Sequence, residues 1–150
     1  MRLSDLLNEK TITVTLSQAN KEGIINELLD LAMESGKISK RAKALKAVLD
    51  REALMSTGLE WGVAVPHAKT NSVSDLVMAL GISNEGIDFE SADGKPSHLF
   101  FFLLAPEAAA GPNIQVLAQI ARLTGDPQFC DALQNAPTAE DAIKIIRDAE

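Results

Sequence analysis

The stretch HLFFFLLA, residues 98–105, constrains the fold of this chain more than any other. After His98 it contains no polar residue, so it lacks the in-out alternation of a strand with one wet face. A run this short, rich in aromatic side chains, reads as a strand rather than a helix. It predicts a central strand covered on both faces. The layers that cover it must come from elsewhere in the chain.

Amphipathic helices are available on either side of it. Asn20 can cap a helix over NKEGIINELLDLAMES, with Ile24, Leu28, Leu31 and Ala32 at helical spacing and Gly36 as its stop. Ser39 can cap a second helix reaching about Glu52 and burying Ala42, Leu45, Val48 and Leu49. Pro112 suits the first turn of a helix running to about Leu123, ended by Gly125 and Pro127. A short helix over 127–134 follows, and Thr138 with Asp141 resembles a capping box for a last helix with Ala142, Ile145 and Ile146 inward. TITVTL at 11–16 and DLVMALGIS at 75–83 read as further strands, IDFE at 87–90 as an edge piece, and ADG at 92–94 as a turn. The segment REALMSTGLEWGVAVPHAK reads as a loop ending in a short strand. The expected architecture is α/β: a mixed β-sheet flanked by helices on both faces, in one domain over residues 1–150.

Composition narrows the function classes. With 46% apolar and 23% charged residues the chain is an ordinary globular sequence. No apolar run approaches the length of a membrane helix, and MRLSDLLNEK lacks a signal-peptide core, so a cytoplasmic location without membrane insertion is expected. A net charge of −7 disfavours nucleic-acid binding. The one basic cluster, KISKRAKALK at 37–46, is either a solvated helix face or a docking face for an acidic partner. The single cysteine, Cys130, excludes an internal disulfide and reads as a small buried residue. Neither histidine has metal-ligand spacing, and no phosphate loop or nucleophile elbow is present, so no cofactor is expected.

What remains is the segment from Arg51 to His67. It holds a guanidinium, the hydroxyls of Ser56 and Thr57, Gly58 and Gly62, and an imidazole fixed behind Pro66. These are the parts of a phosphate site. Arginine binds phosphate oxygens with a permanent charge, hydroxyls and glycine N–H groups can donate, and a neutral imidazole is a nucleophile near pH 7. His98 reads as a hydrogen-bonding residue at a strand start. Trp61 either packs under the loop or lies exposed on its rim, and the charge of Glu60 beside it should point away from His67.

The pattern RE…STG…GVAVPH resembles the signature of the fructose–mannitol type IIA domains of the bacterial phosphoenolpyruvate:sugar phosphotransferase system, a group that includes nitrogen-regulatory IIA proteins. LSDLL, FFFLLAP and NIQVLAQIARL extend the likeness over essentially the whole chain. The resemblance implies that His67 accepts a phosphoryl group from the carrier HPr and passes it to a IIB domain or subunit. It also implies that Arg51 is the active-site arginine and that Ser56 and Thr57 line the same pocket. Many members carry a second histidine at the start of the helix after the central strand, where this chain has Asn113. Asparagine can donate a hydrogen bond to a phosphoryl oxygen but has no titratable proton and no positive charge; the helix N-terminus adds its own partial positive charge there. Phosphorylation should therefore survive without that histidine; its rate and pH dependence are what position 113 bears on.

Two functions remain open at this point: a sugar-uptake phosphoryl carrier, and a regulatory protein whose phosphorylation state controls its binding to other proteins. A purely structural binding module and a metal-free hydrolase fit less well. Arg51, Thr57 and His67 occur together, and no general base pairs with Ser56 in sequence.

Overall fold

The computed structural model describes residues 2–108 and 110–150. Its helices are α1 (Leu3–Leu6), α2 (Lys21–Ala32), α3 (Arg41–Leu54), α4 (Ala110–Thr124), α5 (Pro127–Gln134) and α6 (Ala139–Ala149). Its strands are β1 (Ile12–Thr13), β2 (Val63–Ala64), β3 (His67–Lys69), β4 (Val77–Ile87) and β5 (Ser97–Ala105). They form a five-stranded sheet in the order β1-β4-β5-β2, with β3 also on β5. The β4–β5 pair is antiparallel and the other pairs are parallel, so the sheet is mixed.

The apolar run behaves as its composition requires. Phe100, Phe102 and Leu104 face one layer, with Ile24, Ile25, Leu28 and Leu29 of α2 and Ala44 and Val48 of α3. Leu99, Phe101 and Leu103 face the other, with Val116 and Ile120 of α4, Phe129 and Leu133 of α5 and Ile146 of α6. Burying both faces of this strand stabilises the fold at roughly 25 cal/mol per Å² of apolar surface removed from water.

Most caps lie where the sequence places them. Asn20 accepts from Gly23 N, Gly36 ends its helix at φ +71°, and Thr138 accepts from Asp141 N. Elsewhere tertiary contacts win. The 11–16 strand shrinks to Ile12–Thr13, although Leu16 N still donates to Ile82 O; the Leu16 side chain covers Gly81, where an added Cβ would lie 2.7 Å from it. Ser39 does not cap α3; its hydroxyl donates to the Ser72 carbonyl instead. Ala42 is exposed, and the buried stripe of α3 is Ala44, Val48 and Glu52. That helix continues to Leu54, which puts Arg51 on its last turn rather than in a loop. Of IDFE only Ile87 belongs to a strand, as the end of β4 opposite Ser97.

At the sheet edge, β2 and β3 keep a single register on β5, with Val63 opposite Leu99 and His67 opposite Leu103. Pro66 interrupts them because it has no N–H to contribute, a loss an edge strand tolerates. Its carbonyl still accepts from Leu103 N.

Candidate functional site

Val63 and Val65 belong to the layer that contains α4, and period-two alternation puts His67 on the same face. The ring is half-buried, and its Nδ1–H donates to the Val65 carbonyl at 2.6 Å. With a carbonyl as acceptor, the proton must sit on Nδ1, and Nε2 carries a free lone pair. The sequence does not identify this partner; it is a carbonyl of the histidine's own segment, two positions back.

The STG stretch is built onto the same edge. Leu59 N donates to Val63 O and Val65 N to Thr57 O, so residues 57–59 pair antiparallel with 63–65. Gly58 is needed there, since a Cβ would lie 2.7 Å from Ser91 Oγ and 2.9 Å from Ser91 Cα. The Ser56 hydroxyl donates to Phe89 O at 2.7 Å and accepts from Gly58 N. The Thr57 hydroxyl donates to Glu52 Oε1 through a short hydrogen bond, and Thr57 N donates to Glu52 Oε2 at 2.9 Å. Both hydroxyl protons are thus held within the protein.

Arg51 occupies the last turn of α3, and its Nη1 donates to Met55 O at 3.0 Å. None of the ion pairs among the described residues engages it, so its charge is not balanced by a carboxylate. That charge reaches His67. Burial pushes the imidazole below its ordinary value of 6.5, and the Arg51 charge lowers it further; the Val65 hydrogen bond and the Glu52 carboxylate oppose this. The histidine is therefore neutral at pH 7. Reaction at Nε2 is expected to increase with pH up to a midpoint below 6.5 and to be flat above it, as an NMR titration of the ring alongside the rate would show. The folding linkage has the same sign. The unfolded chain binds the proton first, so stability present above 6.5 is lost as pH falls through the folded-state value.

Asn113 lies in the first turn of α4 and is largely buried, eight residues beyond the end of β5 at Ala105. It approaches from the layer that His67 faces, whereas Arg51 belongs to the opposite layer. Among the described residues no hydrogen bond joins Asn113 to His67.

Sequence reasoning missed two parts of this region. Glu52 was legible as a carboxylate in register with the buried Ala44 and Val48. The exposed apolar side chains beside Arg51 are Leu54 (83%) and Met55 (72%), with Ile114 (64%) next to Asn113. Of the apolar residues leading to His67, Val63 and Val65 are buried, while Leu59 and Trp61 are exposed at the hairpin tip. Trp61 is 63% exposed with φ +64°, and it takes the rim position. It borders a cleft of about 490 Å³ with Glu60, Asp93, Lys95 and His98, at the N-terminal end of β5. His67 does not line that cleft; it pairs five residues further along β5, roughly 16 Å away at strand spacing. His98 Nδ1–H donates to Ser83 O at 2.8 Å, as a strand-start histidine should. Among the described residues no cluster suits a metal ion and no helix is long and apolar enough to cross a membrane.

A neutral imidazole oriented on a sheet edge, within the field of the Arg51 charge, has the chemistry to take an anionic group as a nucleophile. Comparison with known proteins agrees in class. A family model described as "Phosphoenolpyruvate-dependent sugar phosphotransferase system, EIIA 2" matches residues 5–149, and the chain belongs to that family. It is 40% identical over 120 residues to a fructose-specific EIIA component of Haloferax volcanii, covering 80% of this chain and 78% of that protein. It is 35% identical over 146 residues, 97% of its length, to a fructose-specific EIIABC component of Bacillus subtilis, of which it spans only 23%. Among solved structures, nitrogen regulatory protein IIA-Ntr from Neisseria meningitidis superposes with a TM-score of 0.89 at 29% identity, covering 96% of this chain and 98% of that one. Relatives are thus divided between sugar-specific and nitrogen-regulatory proteins.

Proposed function

We propose that this protein is a phosphohistidine carrier that accepts a phosphoryl group from phospho-HPr on His67 Nε2 and passes it to a IIB component for sugar uptake. The observation that carries this reading is the His67 Nδ1–H to Val65 O hydrogen bond, which leaves Nε2 as the lone-pair nitrogen at the edge. In the transfer, the N–P bond on the donor breaks as a bond forms from the Nε2 lone pair to phosphorus. The donor nitrogen recovers the electron pair, and the proton on His67 Nδ1 stays in place. Such a step needs positioning and charge stabilisation rather than a cofactor.

In this reading Arg51 supplies the cation for the phosphoryl oxygens, and Asn113 with the N-terminal turn of α4 supplies donors from the other layer. Leu54, Met55 and Ile114 form the apolar collar on which protein partners dock briefly. Ser56 and Thr57 serve through the loop they hold, since their hydroxyl protons are taken.

The test is to incubate the protein with phosphoenolpyruvate, enzyme I and HPr and to measure its intact mass. A single acid-labile phosphate supports the reading; none refutes it. Arg51→Met is expected to slow phosphorylation about a hundredfold, the scale for losing one charged stabiliser, with little change in thermal stability. Asn113→His is expected to change the rate profile between about pH 6 and 8, where the new imidazole titrates. An unchanged profile would remove position 113 from the site.

The similarity to nitrogen-regulatory proteins supports a second reading, in which the same phosphorylation controls binding to regulatory targets. Phosphoryl transfer onward to a purified IIB component distinguishes the two.

A further inference from the structure

Lys21 is the first residue of α2, where a cation opposes the helix dipole. Something must hold it there. Its Nζ donates to Glu52 Oε2 at 2.9 Å and lies 4.9 Å from the centre of the Phe89 ring; a looser contact of 3.6 Å reaches the exposed Glu90. Glu52 is itself only 7% exposed. A buried carboxylate needs partners, and it has them in Lys21, Thr57 N and the Thr57 hydroxyl.

These contacts continue to the histidine. Lys21 and Thr57 N both donate to Glu52 Oε2, the Thr57 carbonyl accepts from Val65 N at 3.0 Å, and the Val65 carbonyl accepts from His67 Nδ1–H. One chain of hydrogen bonds therefore runs from the start of α2, through the end of α3, to the imidazole. We propose that Lys21 and Glu52 are positioning residues for His67: Glu52 fixes the segment that orients the ring, and Lys21 neutralises Glu52 so that its charge does not repel an incoming phosphoryl group.

The charges that act on His67 are those of Arg51 and Glu52, both from α3. Lys69 on β3 and Glu107 beyond β5 are solvent-exposed and screened. Lys21 enters only through Glu52. The two variants should therefore move the histidine in opposite directions. Glu52→Gln removes a negative charge and one of the acceptor oxygens, so His67 should titrate lower. Lys21→Met leaves the carboxylate uncompensated, so His67 should titrate higher. Lys21→Arg should restore the wild-type value.

The experiment uses the full chain labelled with 15N at histidine. The tautomer and titration of His67 are followed by NMR in wild type, Glu52→Gln, Lys21→Met and Lys21→Arg, and initial rates of phosphorylation by phospho-HPr are measured on the same samples. The wild type should show the Nδ1–H tautomer. Rates should fall about tenfold in Glu52→Gln and Lys21→Met, the scale of one lost charged hydrogen bond, and recover in Lys21→Arg. Identical tautomer and titration in all four proteins overturn the proposal, as does an unchanged rate in both disruptive variants. Only the rates rest on the proposed function. If the wild type takes no phosphate, that reading fails while the NMR comparison still decides the positioning. If Glu52→Gln does not fold, the Lys21 pair decides, because Lys21 lies near the surface.

Discussion

His67→Gln is expected to take no phosphate at all from phosphoenolpyruvate, enzyme I and HPr. Glutamine keeps a side-chain amide that can donate to the Val65 carbonyl, so the edge geometry survives. It has no nucleophilic lone pair equivalent to Nε2, because its nitrogen pair is delocalised into the carbonyl. The variant should melt within a degree or two of wild type, since a half-buried edge residue contributes little to the core. Loss of phosphate without loss of stability would assign the chemistry to this one ring. A phosphate that persists in the variant would place it elsewhere and end the carrier reading for His67. The measurement is intact mass before and after brief acid treatment, with a melting curve on the same sample.

The largest effect on stability is expected at Phe100. Its side chain is fully buried in the central strand and meets Phe89 edge-to-face, with ring centres 5.3 Å apart. Phe100→Ala should cost about 3–5 kcal/mol, from lost transfer energy and the cavity left behind. For a chain of this size that is a fall in melting temperature of roughly 10 °C. The damage should also reach the site. The Phe89 carbonyl accepts from Ser56, and the Phe89 ring lies beneath Lys21. Slowed phosphorylation in the surviving folded protein would show that coupling. Chemical denaturation alongside a transfer assay at low temperature separates the two effects.

The parts legible in the sequence were those whose physical cause is local. The unbroken apolar run 99–105 required cover on both faces, and α2 and α4–α6 provide it. Asn20, Gly36 and Thr138 marked helix ends because a cap acts within one turn. The segment from Arg51 to His67 stood out as a candidate because a phosphate site would need those residue types together. Where the reading departed from the structure, a distant partner had outbid a local preference. Ser39 gives its hydroxyl to the Ser72 carbonyl rather than to a helix end. Helix α3 runs past its predicted stop near Glu52 to Leu54, and Arg51 in its last turn donates to the Met55 carbonyl at the helix end.

By itself, then, the sequence determined the class of fold, several helix caps and a candidate nucleophile, because hydrophobic period, capping and side-chain chemistry are properties of neighbouring residues. The tertiary structure alone decided which nitrogen of His67 is free, that the Ser56 and Thr57 hydroxyls are committed inward, and that Lys21 stands behind Glu52. Each of these depends on a hydrogen-bond partner or a charge that the fold delivers from another segment, and burial at the sheet edge is what gives those contacts their strength.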